Sequence, residues 1–138
     1  MEFNLKNGKT LSVHDYADKY FPAIQELNKQ EQWMNLFEKG KETRQAWGNS
    51  NIAFVVKDKE NVVGYIRGLT DKHVSLYICE LLIAKDYRGK GIGGGLLDYV
   101  HKLYPKTRME MLATSASHTY YESHRFRPFY GFRKTYHE

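Results

Sequence analysis

The stretch from Cys79 to Leu97 constrains this chain more than any other. It reads Cys-Glu-Leu-Leu-Ile-Ala-Lys-Asp-Tyr-Arg-Gly-Lys-Gly-Ile-Gly-Gly-Gly-Leu-Leu. An apolar run leads into a loop holding five glycines, and Leu96 and Leu97 open a helical pattern. Glycine lets the backbone take positive φ and lets a ligand approach it closely. A helix start adds unpaired N–H groups and the positive end of the helix dipole. With Arg88 and Lys90 among the glycines, these features describe an anion site of the kind that takes phosphate.

The rest of the chain limits what such a site can serve. At 138 residues the simplest organisation is one domain over 1–138, long enough to bury a core. No apolar run approaches the ~20 residues needed to span a bilayer, so no membrane partner is expected. The N-terminal residues show no basic-then-apolar signal pattern, which makes the cytoplasm the expected location. Cys79 is the only cysteine, so no intrachain disulfide can form and no cysteine cluster can hold zinc. The six histidines show no metal spacing, and no metal is expected. The formal net charge of +5 raises nucleic acid as a partner. A modest excess of Lys and Arg on a solvated surface, a few serving a phosphorylated ligand, explains it more simply.

The hydrophobic pattern gives an order of elements. Glu2 to Leu5 and Thr10 to Val13 read as short strands around an Asn7-Gly8 turn. Ser12 and Asp15 resemble a capping box before a helix carrying Tyr16, Tyr20, Ile24 and Leu27. Pro22 interrupts that helix or begins its second part. Trp33, Leu36 and Phe37 suggest another helical piece. Strands are expected over 52–57, 62–69 and 74–84, the first two forming a hairpin. After the loop come a helix over 92–103, stopped by Pro105, a strand over 108–113, a helix over 115–124 and a final strand or hairpin over 126–136. A helical N-terminal third thus precedes an antiparallel meander and a strand–loop–helix–strand crossover, whose two strands should run parallel.

Three phosphate loops compete for the glycines. The Walker string G-x-x-x-x-G-K-[ST] is absent. Gly89, Gly91 and Gly94 formally match the dinucleotide fingerprint, with Glu110 about 20 residues on. That fold needs further βαβ units, too little chain follows, and a meander precedes the loop. The third pattern is R-x-x-G-x-G, matched by Arg88-Gly89-Lys90-Gly91-Ile92-Gly93. Here, with Tyr87 before the string and Leu96-Leu97 after it, the chain resembles the GNAT superfamily of N-acetyltransferases. The likeness is firm over about 52–126 and vague over the N-terminal third. It implies an α/β (α+β) GNAT fold, with a mixed central sheet, an antiparallel N-terminal meander and a βαβ crossover forming an acetyl-CoA site.

The resemblance also implies roles. The loop amides of Arg88, Gly89, Lys90, Gly91, Ile92, Gly93 and Gly94 would cradle the CoA pyrophosphate. The N–H groups of Leu82 and Ile83 would hold the thioester carbonyl and its oxyanion. Glu80 is the charged residue in the apolar strand, and by alternation it shares a face with Ile78 and Leu82. A general base for the acceptor amine, acting directly or through water, and a substrate-orienting carboxylate are both open for it. The general acid that protonates the CoA thiolate falls on Tyr121, in the frame Tyr120-Tyr121-Glu122-Ser123-His124-Arg125-Phe126. That frame has Arg125 where the family usually has Gly, and aromatic packing against the cofactor remains open for Tyr121. A second frame ending in Phe129-Tyr130-Gly131-Phe132 puts Arg127 where the Tyr belongs. Cys79 reads as a small buried hydrophobe, since direct transfer needs no enzyme nucleophile.

The expected function is transfer of an acetyl group from acetyl-CoA to a primary amine by direct attack in a ternary complex. Residues 25–50, with Trp33 and Trp47, would shape the acceptor pocket. The expected partners are acetyl-CoA and an amine, with a homodimer left open. Two alternatives stand beside this: a silent acyl-CoA-binding protein of the same fold, and a nucleic-acid-binding or regulatory module suggested by the basic, aromatic tail 125–134.

Overall fold

The structure, a computed structural model, describes residues 1–114 and 117–138. Among these residues one sheet has six strands in chain order: β1 (Glu2–Asn4), β2 (Thr10–Asp15), β3 (Ile52–Asp58), β4 (Asn61–Thr70), β5 (Ser75–Ile83) and β6 (Arg108–Glu110). β1 to β5 pair antiparallel, and β6 runs parallel to β5 after the crossover. The helices are α1 (Phe21–Gln30), α2 (Met34–Glu38), α3 (Gly40–Asn49), α4 (Ile92–Leu103) and α5 (His118–Ser123). No described helix is long and apolar enough to cross a membrane.

Strand alternation builds a core on each face of the sheet. On one side Ile92, Leu96, Leu97 and Val100 of α4 pack against Leu11, Val56, Ile66 and Leu76. On the other, Phe21, Ile24 and Leu27 of α1 and Trp47 of α3 pack against Val55, Tyr65 and Leu82. Val55 and Val56 are neighbours in sequence yet belong to different cores, as a period of two requires. Each such buried side chain contributes about 1.5–3 kcal/mol.

Several expectations hold and several are corrected. The Asn7-Gly8 turn joins β1 to β2, with Gly8 at φ +87°. Ser12 and Asp15 cap no helix; both lie in β2 and pair with β3. The pairing takes their backbone groups before a helix can begin. Residues Asp18–Tyr20 form only a 3-10 turn, and α1 starts at Phe21 with Pro22 in its first turn. There the missing proline N–H costs nothing.

The expected strand over 108–113 ends at Glu110, because β5 offers partners only at Ser75–Tyr77. The expected helix over 115–124 is α5, shorter at both ends, and its first two expected positions lie outside the described residues. The final strand over 126–136 is absent: among the described residues that segment forms no strand and pairs with none. A strand needs a ladder partner for its N–H and C=O groups, and this one has found none.

Glu80 does not share a face with Ile78. The β4–β5 register jumps from Arg67↔Glu80 to Gly68↔Ile78, so Cys79 is an extra, bulged residue. A bulge shifts every side chain beyond it to the other face. Ile78 therefore joins the α4-side core, whereas Leu82, two residues beyond Glu80, joins the α1–α3 side.

Candidate active site

The cleft begins where β5 and β6 part. They pair only at Ser75↔Arg108, Leu76↔Met109 and Tyr77↔Glu110. From Ile78 to Ile83, β5 has β4 on one side and no strand on the other. The Ala84 N–H donates to the Val63 carbonyl at 2.8 Å, which fixes the direction of every group in this part of the ladder. In an antiparallel pair, alternate residues turn both backbone groups to the same neighbour. Leu82 thus faces Tyr65 across the ladder, while Leu81 and Ile83 turn N–H and C=O into the cleft. The Ile83 carbonyl accepts the Arg88 Nε at 2.9 Å.

The loop at the cleft's end has the geometry of an anion cradle. Gly89 and Gly91 hold φ of +74° and +81°, and nothing lies within 4 Å of where their Cβ atoms would be. Gly91 is the N-cap of α4 and no side chain caps the helix. The first intrahelical bond runs from the Gly95 N–H to the Gly91 carbonyl, so the amides of Ile92, Gly93 and Gly94 lack helical acceptors. Lys90 is exposed beside them. The Arg88 guanidinium points elsewhere, to Glu31 at the end of α1. The loop's start is tied down by the Tyr87 hydroxyl, which donates to Asp58, and Asp58 also takes Lys9 Nζ at 3.2 Å. These two hydrogen bonds hold the Asp58 carboxyl below its usual range, and the same bond to Asp58 raises the Tyr87 phenol.

Gly93 and Gly94 have a second duty. A Cβ on Gly93 would lie 2.4 Å from the Tyr120 hydroxyl, and one on Gly94 would lie 2.5 Å from His124 Cε1. α5 therefore packs Tyr120 and His124 directly onto the first turn of α4. Tyr121, the expected acid, packs with Phe126 against the α4-side core, the two rings 5.7 Å apart. Burial pushes the phenols of Tyr120 and Tyr121 above their ordinary values. A raised phenol stays protonated at neutral pH and can give a proton to a thiolate.

Glu80 lies on the α1–α3 side in a bidentate ion pair. Arg67 Nε and Nη2 donate to its two oxygens at 2.8 and 2.6 Å, and Arg67 Nη1 reaches Ser50 Oγ at 3.1 Å. Burial works against the Arg67 charge, but the bonds to Glu80 prevail and hold its pKa above the ordinary value. Each Glu80 oxygen keeps a lone pair for a water or an amine. Nearby the Tyr65 hydroxyl donates to buried Asn28, and burial raises its pKa. Cys79 is half-buried, and burial pushes its thiol up, away from the thiolate a nucleophile needs. Among the described residues no group of three His, Cys, Asp or Glu side chains could hold a metal.

Sequence reasoning missed Arg67, Asn28, Glu31 and Tyr120. Arg67 carried one signal, a lone charge inside an otherwise apolar strand. The other three carried none, since they meet the site only through tertiary packing.

A mixed sheet opened between two parallel strands, beside a glycine-lined helix start, defines an acetyltransferase fold. The comparisons specify the family. Residues 49–128 match the model of the acetyltransferase (GNAT) domain, more than half the chain, and the chain belongs to that family. No curated protein matches it. Its fold is similar to that of a GNAT-family acetyltransferase, SP0256, from Streptococcus pneumoniae TIGR4, at TM-score 0.76 and 18% identity, over 93% of this chain and 98% of that one. It is also similar to the aminoglycoside N-acetyltransferase AAC(6')-Iy in complex with CoA, at TM-score 0.70 and 10% identity, over 94% and 98%. A third is the aminoglycoside acetyltransferase meta-AAC0020 from an uncultured soil metagenomic sample, in complex with sisomicin, at TM-score 0.65 and 15% identity, over 91% and 95%.

Proposed function

We propose that the chain transfers an acetyl group from acetyl-CoA to a primary amine, by direct attack in a ternary complex. The observation that carries this is the parting of β5 from β6 beside an uncapped α4, which leaves the Ile83 N–H turned away from β4 and the first amides of α4 without helical acceptors. The N–H groups of residues 89–94 hold the pyrophosphate, with Lys90 adding charge, while the Arg88 N–H donates to the Lys85 carbonyl at 3.3 Å. The Ile83 N–H donates to the thioester oxygen and to the oxyanion it becomes. Leu82, whose amide is turned to β4, supports the strand and gives no second donor. Glu80, oriented by Arg67, takes a proton from the acceptor ammonium through a water. The amine nitrogen then bonds to the acetyl carbon, the carbon–sulfur bond breaks, Tyr121 gives its proton to the sulfur, and the second proton that nitrogen sheds as the amide forms passes through water to restore the Tyr121 phenol.

The ion pair also favours a second reading, a protein that binds acyl-CoA without transfer, because Arg67 occupies both Glu80 oxygens. Calorimetry with acetyl-CoA tests the binding common to both readings, and no measurable heat overturns both. A screen of amines for release of CoA thiol separates them. Glu80→Gln is expected to lower kcat about 10²-fold or more. Tyr121→Phe should remove the basic limb, with Tyr120→Phe as the comparison. A rate lost in Tyr120→Phe and kept in Tyr121→Phe transfers the acid's role to Tyr120.

A further inference from the structure

We propose that the acceptor is a small zwitterion, with amine and carboxylate on one carbon as in a free α-amino acid, its ammonium turned to Glu80 and its carboxylate held by Arg67. The inference rests on the function proposed above and names its substrate class.

Arg67 has donors left over. A guanidinium carries five N–H groups in a fixed planar fork. Arg67 gives one from Nε and one from Nη2 to Glu80, and one from Nη1 to Ser50 Oγ. One N–H on Nη1 and one on Nη2 have no acceptor among the described residues. Because Nε and Nη2 serve Glu80, the edge that remains is the one between Nη1 and Nη2, and Ser50 meets it only at Nη1. That edge is a bidentate site for a carboxylate. The side chain is only 14% exposed, so little water reaches these donors. A buried donor left unpaired is costly, and a planar anion relieves it.

The charge of the surroundings selects the rest of the ligand. The Glu80–Arg67 pair sums to zero. The charged groups that act on the nearby Tyr65 hydroxyl are Glu80, Arg67 and Glu31, and those that act on the Cys79 thiol are Arg67 and Glu80. Glu31 is itself engaged by Arg88. Both carboxylates of this set therefore have a guanidinium partner, and neither is left over to balance a polycation. A polyamine would bring several positive charges to a neutral site in a chain of net charge +5. A simple alkylamine would add one unbalanced charge and leave the Arg67 edge empty. An amino acid adds one charge of each sign and keeps the sum at zero. Its two charged groups are one carbon apart, and the Glu80 oxygens and Arg67 nitrogens are 2.6–2.8 Å apart. Both ends of the ligand can thus meet their partners together.

Release of CoA thiol by the full chain tests this, with the common L-amino acids, their carboxamides, spermidine and sisomicin as acceptors. The carboxamide keeps the amine and the side chain and lacks only the anionic group. Its amine is also the less basic, hence more often unprotonated, which biases the comparison against the proposal. At least one amino acid should exceed its carboxamide about a hundredfold in kcat/KM, chiefly through KM. In Arg67→Lys that ratio should fall close to one. Lost folding or a misplaced Glu80 would slow both acceptors alike and leave the ratio unchanged. The comparison on the parent needs no variant. Equal use of acid and carboxamide, or a preference for spermidine or sisomicin, overturns the zwitterion and leaves acetyl transfer standing. A ratio that survives Arg67→Lys overturns the role of Arg67. No thiol release with any amine overturns acetyl transfer and this inference with it.

Discussion

Arg67 and Glu80 occupy adjacent strands with their side chains mostly buried, and each satisfies the other. Removing one partner strands a charge in a low-dielectric cleft, at a cost of about 3–5 kcal/mol for a buried pair. Arg67→Met should therefore destabilise the protein strongly in urea unfolding, and Arg67→Met/Glu80→Gln should recover part of that loss. Additive effects in this cycle would show that the two side chains do not interact. Asp71 makes a different prediction. Its Oδ1 accepts the N–H groups of His73, Val74 and Ser75, which lower its pKa to about 2. The depressed folded value means that its contribution is present above the unfolded pKa and is lost as pH falls through the folded one. Parent stability should fall between about pH 4 and pH 2. Asp71→Asn keeps an acceptor but cannot titrate, so its urea midpoint should fall less over that window.

At the scale of elements, the β4–β5 ladder does most to place the site. Its bulge at Cys79 sends Glu80 and Leu82 to one face and Leu81 and Ile83 to the other. Gly68 stands at that bulge, and a Cβ there would lie 2.6 Å from the Tyr77 carbonyl oxygen. A backbone atom held in a ladder cannot move aside as a side chain can. Gly68→Ala should cost about 1–3 kcal/mol or more in urea unfolding, and acetyl-CoA affinity should fall with it because the strand bearing Ile83 is displaced. An unchanged midpoint and affinity would show that the bulge does not depend on Gly68.

This ladder also marks the limit of what could be read in advance. The loop and α4 were legible because glycine spacing and helical periodicity are local properties. The hairpin of β3 and β4 was legible for the same reason. The bulge was not, because Cys79 becomes an extra residue only through its register with Gly68, eleven positions away. The direction of the Leu82 and Ile83 amides follows from that pairing too. The tail misled for the opposite reason: its pattern is that of a strand, but pattern alone supplies no partner.

The molecule as a whole is one sheet with a core on each face, and the cleft draws on both. Leu82 belongs to the α1–α3 core, whereas Ile92 at the head of α4 belongs to the other. A ligand that spans from the loop to β5 therefore rests on elements of both cores and binds only when both are formed. On the proposed function, acetyl-CoA at a hundred times its dissociation constant should add about 2.7 kcal/mol to the stability of the native state. For a chain of this size that raises Tm by roughly 9 °C. The loop amides hold only the pyrophosphate, so acetyl-pantetheine, which lacks it, should produce little shift at the same concentration. The formal net charge of +5 attracts an anionic ligand over a distance. Added salt should thus reduce the acetyl-CoA shift, while hardly touching any shift from neutral acetyl-pantetheine. Differential scanning fluorimetry with both ligands at low and high salt checks all of this. Equal shifts from the two ligands would take the pyrophosphate away from residues 89–94 and leave the glycines with only the packing of Tyr120 and His124 to explain them.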